Sequence, residues 1–364
     1  MNILLIEPFY TGSHKNWAKG YIENSSHNIK LLNMPGRFWK WRMHGSAITL
    51  SKQYNELNFE PDLIIATDML NLPLFKSLTD VDCPIIMYFH ENQITYPFSS
   101  KDTDIQFNRD KHYSFINYSS ALTADHIYFN SHFHMNSFFS GLTDYLNTLP
   151  DYQEIQNIQV IKQKSSVLHL GLDLKKFDNH KTNYECTTPI ILWNHRWEYD
   201  KNPEDFFNIM NNLSQKKIHF NLVILGQQFR RELTCFKNAR KNLKKHILEI
   251  GFSNSFTNYA KWLWKADILP ITSNQDFFGT SIMEAVFCKT IPILPNRLTY
   301  PNLFNLDENP NLFYNDNKSL LNKLESMLEN IEKIRMNNYR RIATKYDWSN
   351  MINIYDKEFS KYLL

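Results

Sequence analysis

The chain has no apolar run near the ~20 residues a membrane-spanning helix needs, and none of its four cysteines belongs to a C-x-x-C pair. The first absence leaves no candidate bilayer span, and no membrane partner is expected. The second argues against both a zinc site and a disulfide framework, so Cys83, Cys186, Cys235 and Cys288 read as reduced thiols. The opening MNILLIEPFY lacks a basic leader and has only a short apolar core, so it reads as a first strand and a cytoplasmic location is expected. Short-period repeats are absent. The net charge of +3 is too small to demand nucleic acid by itself, although the positive charge is clustered.

What is present is an alternation. With 364 residues the chain exceeds one ordinary core and suits two domains. Strand-like runs occur at 2–7, 62–67, 84–89, 126–131 and 165–171, and a second series at 189–194, 219–226, 246–251, 266–272 and 290–295. Helix-length segments separate most of them, which is the rhythm of two doubly wound parallel α/β sheets. The expected division is 1–175, a polar linker 176–188, 189–345, and a closing helix 346–364 that returns to the first domain. Two lobes facing a cleft are expected.

The most informative stretch is DFFGTSIMEA, Asp276 to Ala285, which sets two acids on either side of a Phe-Gly turn. A short apolar run precedes it and helical spacing follows, so it reads as strand, tight loop and helix start. Free backbone N–H groups and the positive end of a helix dipole suit a phosphate or a sugar hydroxyl there. Gly279 permits close approach of a ligand to the backbone. Phe278, Thr280 and Ser281 line the same turn, Asp276 faces the ligand, and Glu284 lies about two helical turns further on. A nucleotide-sugar is long enough to meet both acids.

In doubly wound sheets ligands bind beyond the carboxyl ends of strands. After the first strand comes a close-approach turn, Gly12 and Ser13; after the third comes His90-Glu91-Asn92. The second series offers Arg196 and Lys201 after its first strand, and Gly226 with two glutamines after the next. Two basic clusters stand apart. RFWKWR, with Arg37, Trp39, Trp41 and Arg42, is followed by His44 and alternates cations with rings, as phosphate and base binding require. Lys237, Arg240, Lys241, Lys244 and Lys245 would share one helix face, for which a solvated surface is the plainer reading. Asp102-Thr103-Asp104 spells a metal-holding D-x-D pattern but lies in a polar loop, outside the strand context such a site needs. His132 and His134, two apart, face different ways and are not read as ligands.

These motifs together resemble a retaining glycosyltransferase of family 4 with the GT-B fold over nearly all of the chain. The paired acids Asp276 and Glu284 match that group's paired glutamates, with Asp in place of the usual first Glu. The resemblance implies that Asp276 holds donor-sugar hydroxyls, Glu284 the ribose, and Arg196 and Lys201 the diphosphate. EPFYTGSHK, WKWR, FHENQITYP, SALTADHIYFNSHFHMNSF and PNRLTYPNLF narrow the resemblance to the tRNA-queuosine mannosyltransferase family, although Asn302 stands where that family tends to carry Glu. The implied reaction passes mannose from GDP-mannose to the cyclopentenediol of queuosine in the anticodon of aspartate tRNA. The implied partners are thus a nucleotide-sugar donor and a tRNA acceptor, with no metal and no other cofactor.

On this reading His90 orients the donor sugar while Gly12, Ser13 and Gly226 approach the donor. Arg37, Trp39, Trp41, Arg42, His44, Glu91 and Asn92 meet the acceptor. Cations and helix N-termini neutralise the departing phosphate, and transfer proceeds on the front face with retention. Two other readings stay open at this point: a family-4 enzyme with a lipid or polysaccharide acceptor, and a catalytically silent RNA-binding protein of the same fold.

Overall fold

The structure is a computed structural model that describes residues 1–99, 102, 104, 111–182, 187–227 and 233–363. It divides into two compact units: Met1–Asp173 together with the chain from Trp348 onward, and Leu174–Asp347.

The first unit is built on a six-stranded parallel sheet of order β2-β1-β3-β4-β5-β6. Its strands are β1 (Asn2–Tyr10), β2 (Asn28–Pro35), β3 (Leu63–Thr67), β4 (Ile85–Phe89), β5 (His126–Phe129) and β6 (Ser165–Val167). The central strands β3 and β4 are buried at every position, which explains their unbroken apolar sequence. The edge strand β2 alternates between exposed and covered residues, and no apolar run announces it. Helices Gly12–Asn24, Trp39–Asn55, Lys111–Thr123 and His132–Leu146 connect the strands. Leu4, Ile6, Ile64, Met87, Phe89, Phe129 and Phe138 form the heart of the core.

The helix Trp348–Phe359 packs into this unit. A Cβ on Gly20 would lie 1.9 Å from Trp348 Nε1, and one on Gly171 would lie 2.5 Å from the same indole, so both glycines leave room for that ring. Trp17 Nε1 donates to the Tyr355 hydroxyl at 3.0 Å, and Ser25 Oγ donates to Asp356 at 2.7 Å.

The second unit carries the order β12-β11-β10-β7-β8-β9. These strands are β7 (Ile190–Asn194), β8 (Asn221–Leu225), β9 (Ile247–Gly251), β10 (Ile268–Pro270), β11 (Ile291–Pro295) and β12 (Phe313–Tyr314). The boundary differs from the sequence reading, which placed 176–188 in a linker. Lys175–His180 is a 3-10 turn of the second unit, because Phe177 is fully buried and its carbonyl accepts from Trp264 Nε1 at 2.8 Å. Cys83, Cys235 and Cys288 are free thiols; Cys186, Gln228 and Thr103 lie outside the described residues. Among the described residues no helix is long and apolar enough to cross a membrane.

Candidate active site

In the second unit the loop after β7 and the turn after β10 are tied together. Thr272 Oγ1 donates to the Asn202 carbonyl at 2.9 Å, and the Asn274 amide donates to the Asp200 carbonyl at 2.8 Å. Asn202, left-handed at φ 49, caps the helix Pro203–Gln215 and turns Lys201 inward. Lys201 Nζ reaches the Gln275 carbonyl at 2.7 Å, Asp276 Oδ1 at 2.8 Å and Asp200 Oδ2 at 3.2 Å. Three partners match the three hydrogens of an ammonium. The sequence reading gave Lys201 to the diphosphate; the structure gives its hydrogens to two carboxylates and a carbonyl.

Burial opposes the charge on Lys201, yet Asp276 and Asp200 outweigh it and raise its pKa. Burial likewise works against the Asp276 carboxylate, but Lys201 and His195 hold its pKa below the ordinary value. The other Asp276 oxygen accepts from the Tyr300 hydroxyl at 2.6 Å. Asp276 is thus gripped from both sides, and the shorter side chain is matched by a buried tyrosine. Arg196 remains the outward cation, 46% exposed, with Glu198 at 3.4 Å and Asp200 at 3.7 Å.

Gly279, left-handed at φ 87, starts the helix Thr280–Phe287. Glu284 on that helix accepts from the Tyr259 hydroxyl at 2.6 Å. Phe278 is buried against Tyr346, so it supports the turn. Asn194 Nδ2 donates to the Ser281 carbonyl at 2.7 Å, and Ser281 Oγ lies 3.2 Å from His195 Nδ1. Burial, against the pull of Asp276 and with the push of Lys201, lowers His195 to about 4, so this imidazole is neutral. Gly226 has φ +150, and a Cβ there would lie 1.9 Å from the His195 carbonyl oxygen, so the loop after β8 closes on the loop after β7. The structure brings Arg196, Lys201, Asp276, Gly279, Thr280, Ser281 and Glu284 to neighbouring strand ends. The sequence reading missed Asp200, His195, Tyr259 and Tyr300; the two tyrosines are remote in sequence and gave no local signal.

The first unit gathers a second set of groups. Glu7 on β1 is fully buried; its Oε1 accepts the Phe9 amide at 2.8 Å and its Oε2 meets His14 Nδ1 at 3.1 Å. The His14 and His90 ring centroids are 4.3 Å apart. Burial opposes the imidazolium of His14, but the Glu7 carboxylate outweighs it and raises the pKa to about 9. Burial, with His14 and His134 as neighbours, holds His90 well below the ordinary imidazole value. Asp68 Oδ1 accepts the His90 amide at 2.7 Å, and burial raises the Asp68 pKa. Glu7, His14 and His90 offer ligand atoms within 4.8 Å of one another, a grouping the sequence did not reveal and the arrangement best able to hold a metal among the described residues.

Gly12, at φ +52, and Ser13 open the exposed start of the first helix, and a Cβ on Gly12 would meet nothing within 4 Å. Asn92 is fully buried, and its Oδ1 accepts from the amides of Ile94 and Thr95, so it caps a turn. Glu91 accepts from Gln93 Nε2 at 2.9 Å. The WKWR stretch begins the helix Trp39–Asn55 and divides in two. Trp39 packs on Tyr113 at 5.0 Å, and Lys40 is held by Asp102 and Asp104, which are thereby a lysine clamp in this fold. Phe38 and Trp41 are 66% and 63% exposed, flanked by exposed Arg37 and by Arg42, whose Nε donates to the Pro35 carbonyl at 3.1 Å. His44 lies at the surface with its ring 5.3 Å from that of Tyr113. Lys237, Arg240 and Lys241 share the helix Thr234–Asn242, whereas Lys244 and Lys245 follow it in a turn, because the helix ends at the Leu243 cap.

Two doubly wound parallel sheets, with charged and sugar-competent side chains at their strand ends, define a glycosyltransferase of the GT-B fold. Residues 175–345 match the family of glycosyl transferases group 1. The whole chain superposes on a sucrose-phosphate synthase from Thermosynechococcus elongatus with a TM-score of 0.73 at 14% identity, covering 99% of this chain and 98% of that one. It superposes on Anabaena HepE in complex with UDP with a TM-score of 0.70 at 14% identity, covering 99% and 100%. Residues 2–172 match the N-terminal family of tRNA-queuosine alpha-mannosyltransferases. A Drosophila melanogaster protein named tRNA-queuosine alpha-mannosyltransferase is 30% identical over 334 residues, 89% of this chain and 86% of that protein. The chain belongs to the tRNA-queuosine alpha-mannosyltransferase family.

Proposed function

We propose that this enzyme transfers mannose from GDP-mannose to the cyclopentenediol of queuosine in the anticodon of aspartate tRNA, with retention of configuration. The observation that carries this reading is that both halves of the chain match: a donor-type half at 175–345, and at 2–172 a half whose family is defined by a queuosine acceptor. Family membership supports the acceptor and the sugar. GDP as the nucleotide comes from the resemblance of the motifs.

In this reading the donor lies along the turn 276–281. The Glu284 carboxylate, oriented by Tyr259, takes the ribose hydroxyls, and Asp276, fixed by Lys201 and Tyr300, takes a sugar hydroxyl. Arg196, 46% exposed, is the cation that grips phosphate oxygens, and a guanidinium can do so with two bonds. Lys201 acts from behind Asp276 as a fixed positive field and gives up one of its carboxylate contacts if it meets phosphate directly. The amides at the start of the Thr280–Phe287 helix add to that field.

As the sugar–phosphate bond breaks, its electron pair leaves with the phosphate. The phosphate oxygen then takes the proton of the attacking queuosine hydroxyl, whose oxygen bonds the sugar carbon on the same face. No metal takes part in this scheme. In the first unit His90 orients the sugar, and Arg37, Phe38, Trp41 and Arg42 bind RNA, the exposed rings stacking bases and the cations meeting phosphates. The test is donor choice and product stereochemistry. GDP-mannose should be consumed and UDP-sugars should not, and NMR of the product should show an α-mannoside; a β product would refute the front-face route.

A further inference from the structure

We propose that Glu7 and His14 form a positioning pair for His90, fixing the orientation of its ring. The inference rests on the assignment of His90 to the sugar under transfer.

Three observations carry it. First, Glu7 is fully buried and both of its oxygens are engaged, one by the Phe9 amide and one by His14 Nδ1. A buried carboxylate is tolerated when a cation accompanies it, so the pair fixes which nitrogen of His14 faces Glu7 and favours the charged ring. Second, the face of His14 lies against His90 at 4.3 Å with the planes 39° apart, while Trp17 abuts His90 edge-on at 4.8 Å and Tyr88 lies at 5.0 Å. The backbone of His90 is pinned as well, its amide by Asp68 and its carbonyl by Asn130 Nδ2 at 2.8 Å. Third, His90 is only 7% exposed, and neither of its ring nitrogens has a hydrogen-bond partner among the described residues. Buried polar atoms are ordinarily satisfied, so an imidazole fixed on every side but through its nitrogens is shaped to meet a ligand.

The charged and titratable groups around His90 come from several elements. β1 contributes Glu7, the first helix His14, the end of β3 Asp68, and the end of β4 Tyr88 and Glu91. The His132–Leu146 helix contributes His134, and Tyr355 lies behind Tyr88. Asp68 and Glu91 add to Glu7 in favouring the charge on His14, and His14 and His134 both disfavour a charge on His90. The pair therefore holds the ring that does the binding in place, without touching the substrate itself.

The test is steady-state kinetics of the full-length enzyme with GDP-mannose and queuosine-containing tRNA. The Glu7→Gln/His14→Gln double variant, which removes the ion pair, should lose about tenfold in kcat/KM for GDP-mannose and leave KM for tRNA unchanged. The same double substitution made in a His90→Asn background should cost nothing further, because the pair acts only through that ring. A double variant with wild-type kinetics, or a loss that persists in full in the His90→Asn background, would overturn the proposal. If the double variant does not fold, His14→Phe, which keeps a ring against His90 but no bond to Glu7, decides by the same comparison. Full activity in His90→Asn alone would refute the assignment of His90 rather than the pair. Stoichiometric zinc in the wild type, lost in His14→Gln, would replace the pair with a metal site.

Discussion

Tyr300→Phe isolates the grip on Asp276. The substitution removes one hydroxyl and leaves a ring that is fully buried, so packing is conserved. What is lost is a 2.6 Å bond to a carboxylate whose other oxygen is held by Lys201 at 2.8 Å. Lys201 cannot compensate, because its three hydrogens already have partners. Hydrogen bonds to charged groups contribute about 1.5–3 kcal/mol, and the oxygen left behind is largely shielded from water. For a unit of this size each kcal/mol moves Tm by roughly 2–4 °C, so a drop of about 3–12 °C is expected. The Tyr300 bond also lowers the Asp276 pKa, which rises in the variant. Calorimetry with and without nucleotide reads the stability, and kcat/KM should fall about 10- to 100-fold because the sugar-binding carboxylate is less well held. A change below about 0.5 kcal/mol, with unchanged kinetics, is what a surface substitution gives and would refute the grip.

Replacing Arg37 and Arg42 together by Ala should weaken tRNA binding, lower the slope of log affinity against log salt by about 1.5, and leave donor affinity unchanged; binding measured at several salt concentrations checks all three. Trp348→Ala removes a ring that is 2% exposed and should cost about 3–5 kcal/mol, releasing the closing helix to limited proteolysis ahead of global unfolding. The Glu7–His14 pair makes the first unit lose stability with alkali. The His14 pKa is raised to about 9 in the folded state, so its contribution is full below about 6.5 and lost as pH rises through 9. That is roughly 3 kcal/mol by the size of the shift. His90 and His134, held neutral by burial, act the other way only below about pH 6.5. Thermal melts from pH 6 to 10 should show the alkaline loss in wild type and a flatter curve in Glu7→Gln.

Local pattern was enough for the doubly wound layout, because buried parallel strands such as β3 and β4 are apolar along their whole length. It failed at β2, where one face meets water, and at β12, which is two residues long. The turn 276–284 was legible because its acids, glycine and helix start are adjacent in sequence. The groups that hold those acids were not, since Tyr259 and Tyr300 reach them across 25 and 24 residues. Phe177 read as part of a linker because one apolar residue among charges has no period, yet its ring decides which unit the segment joins. Glu7 read as an ordinary strand residue, and only the packing of β1 against the first helix and the end of β4 shows it beside two histidines. Trp39, Lys40 and Trp41 looked equivalent in sequence and are not, because a helix turns the first two toward Tyr113, Asp102 and Asp104 and the third to solvent.

The most direct measurement incubates the purified enzyme with GDP-mannose and two bulk tRNA preparations, one containing queuosine and one free of it, and weighs the nucleosides after digestion. The account predicts one added hexose on queuosine and on no other nucleoside. Hexose on any nucleoside of the queuosine-free tRNA, or none on either preparation, would contradict it.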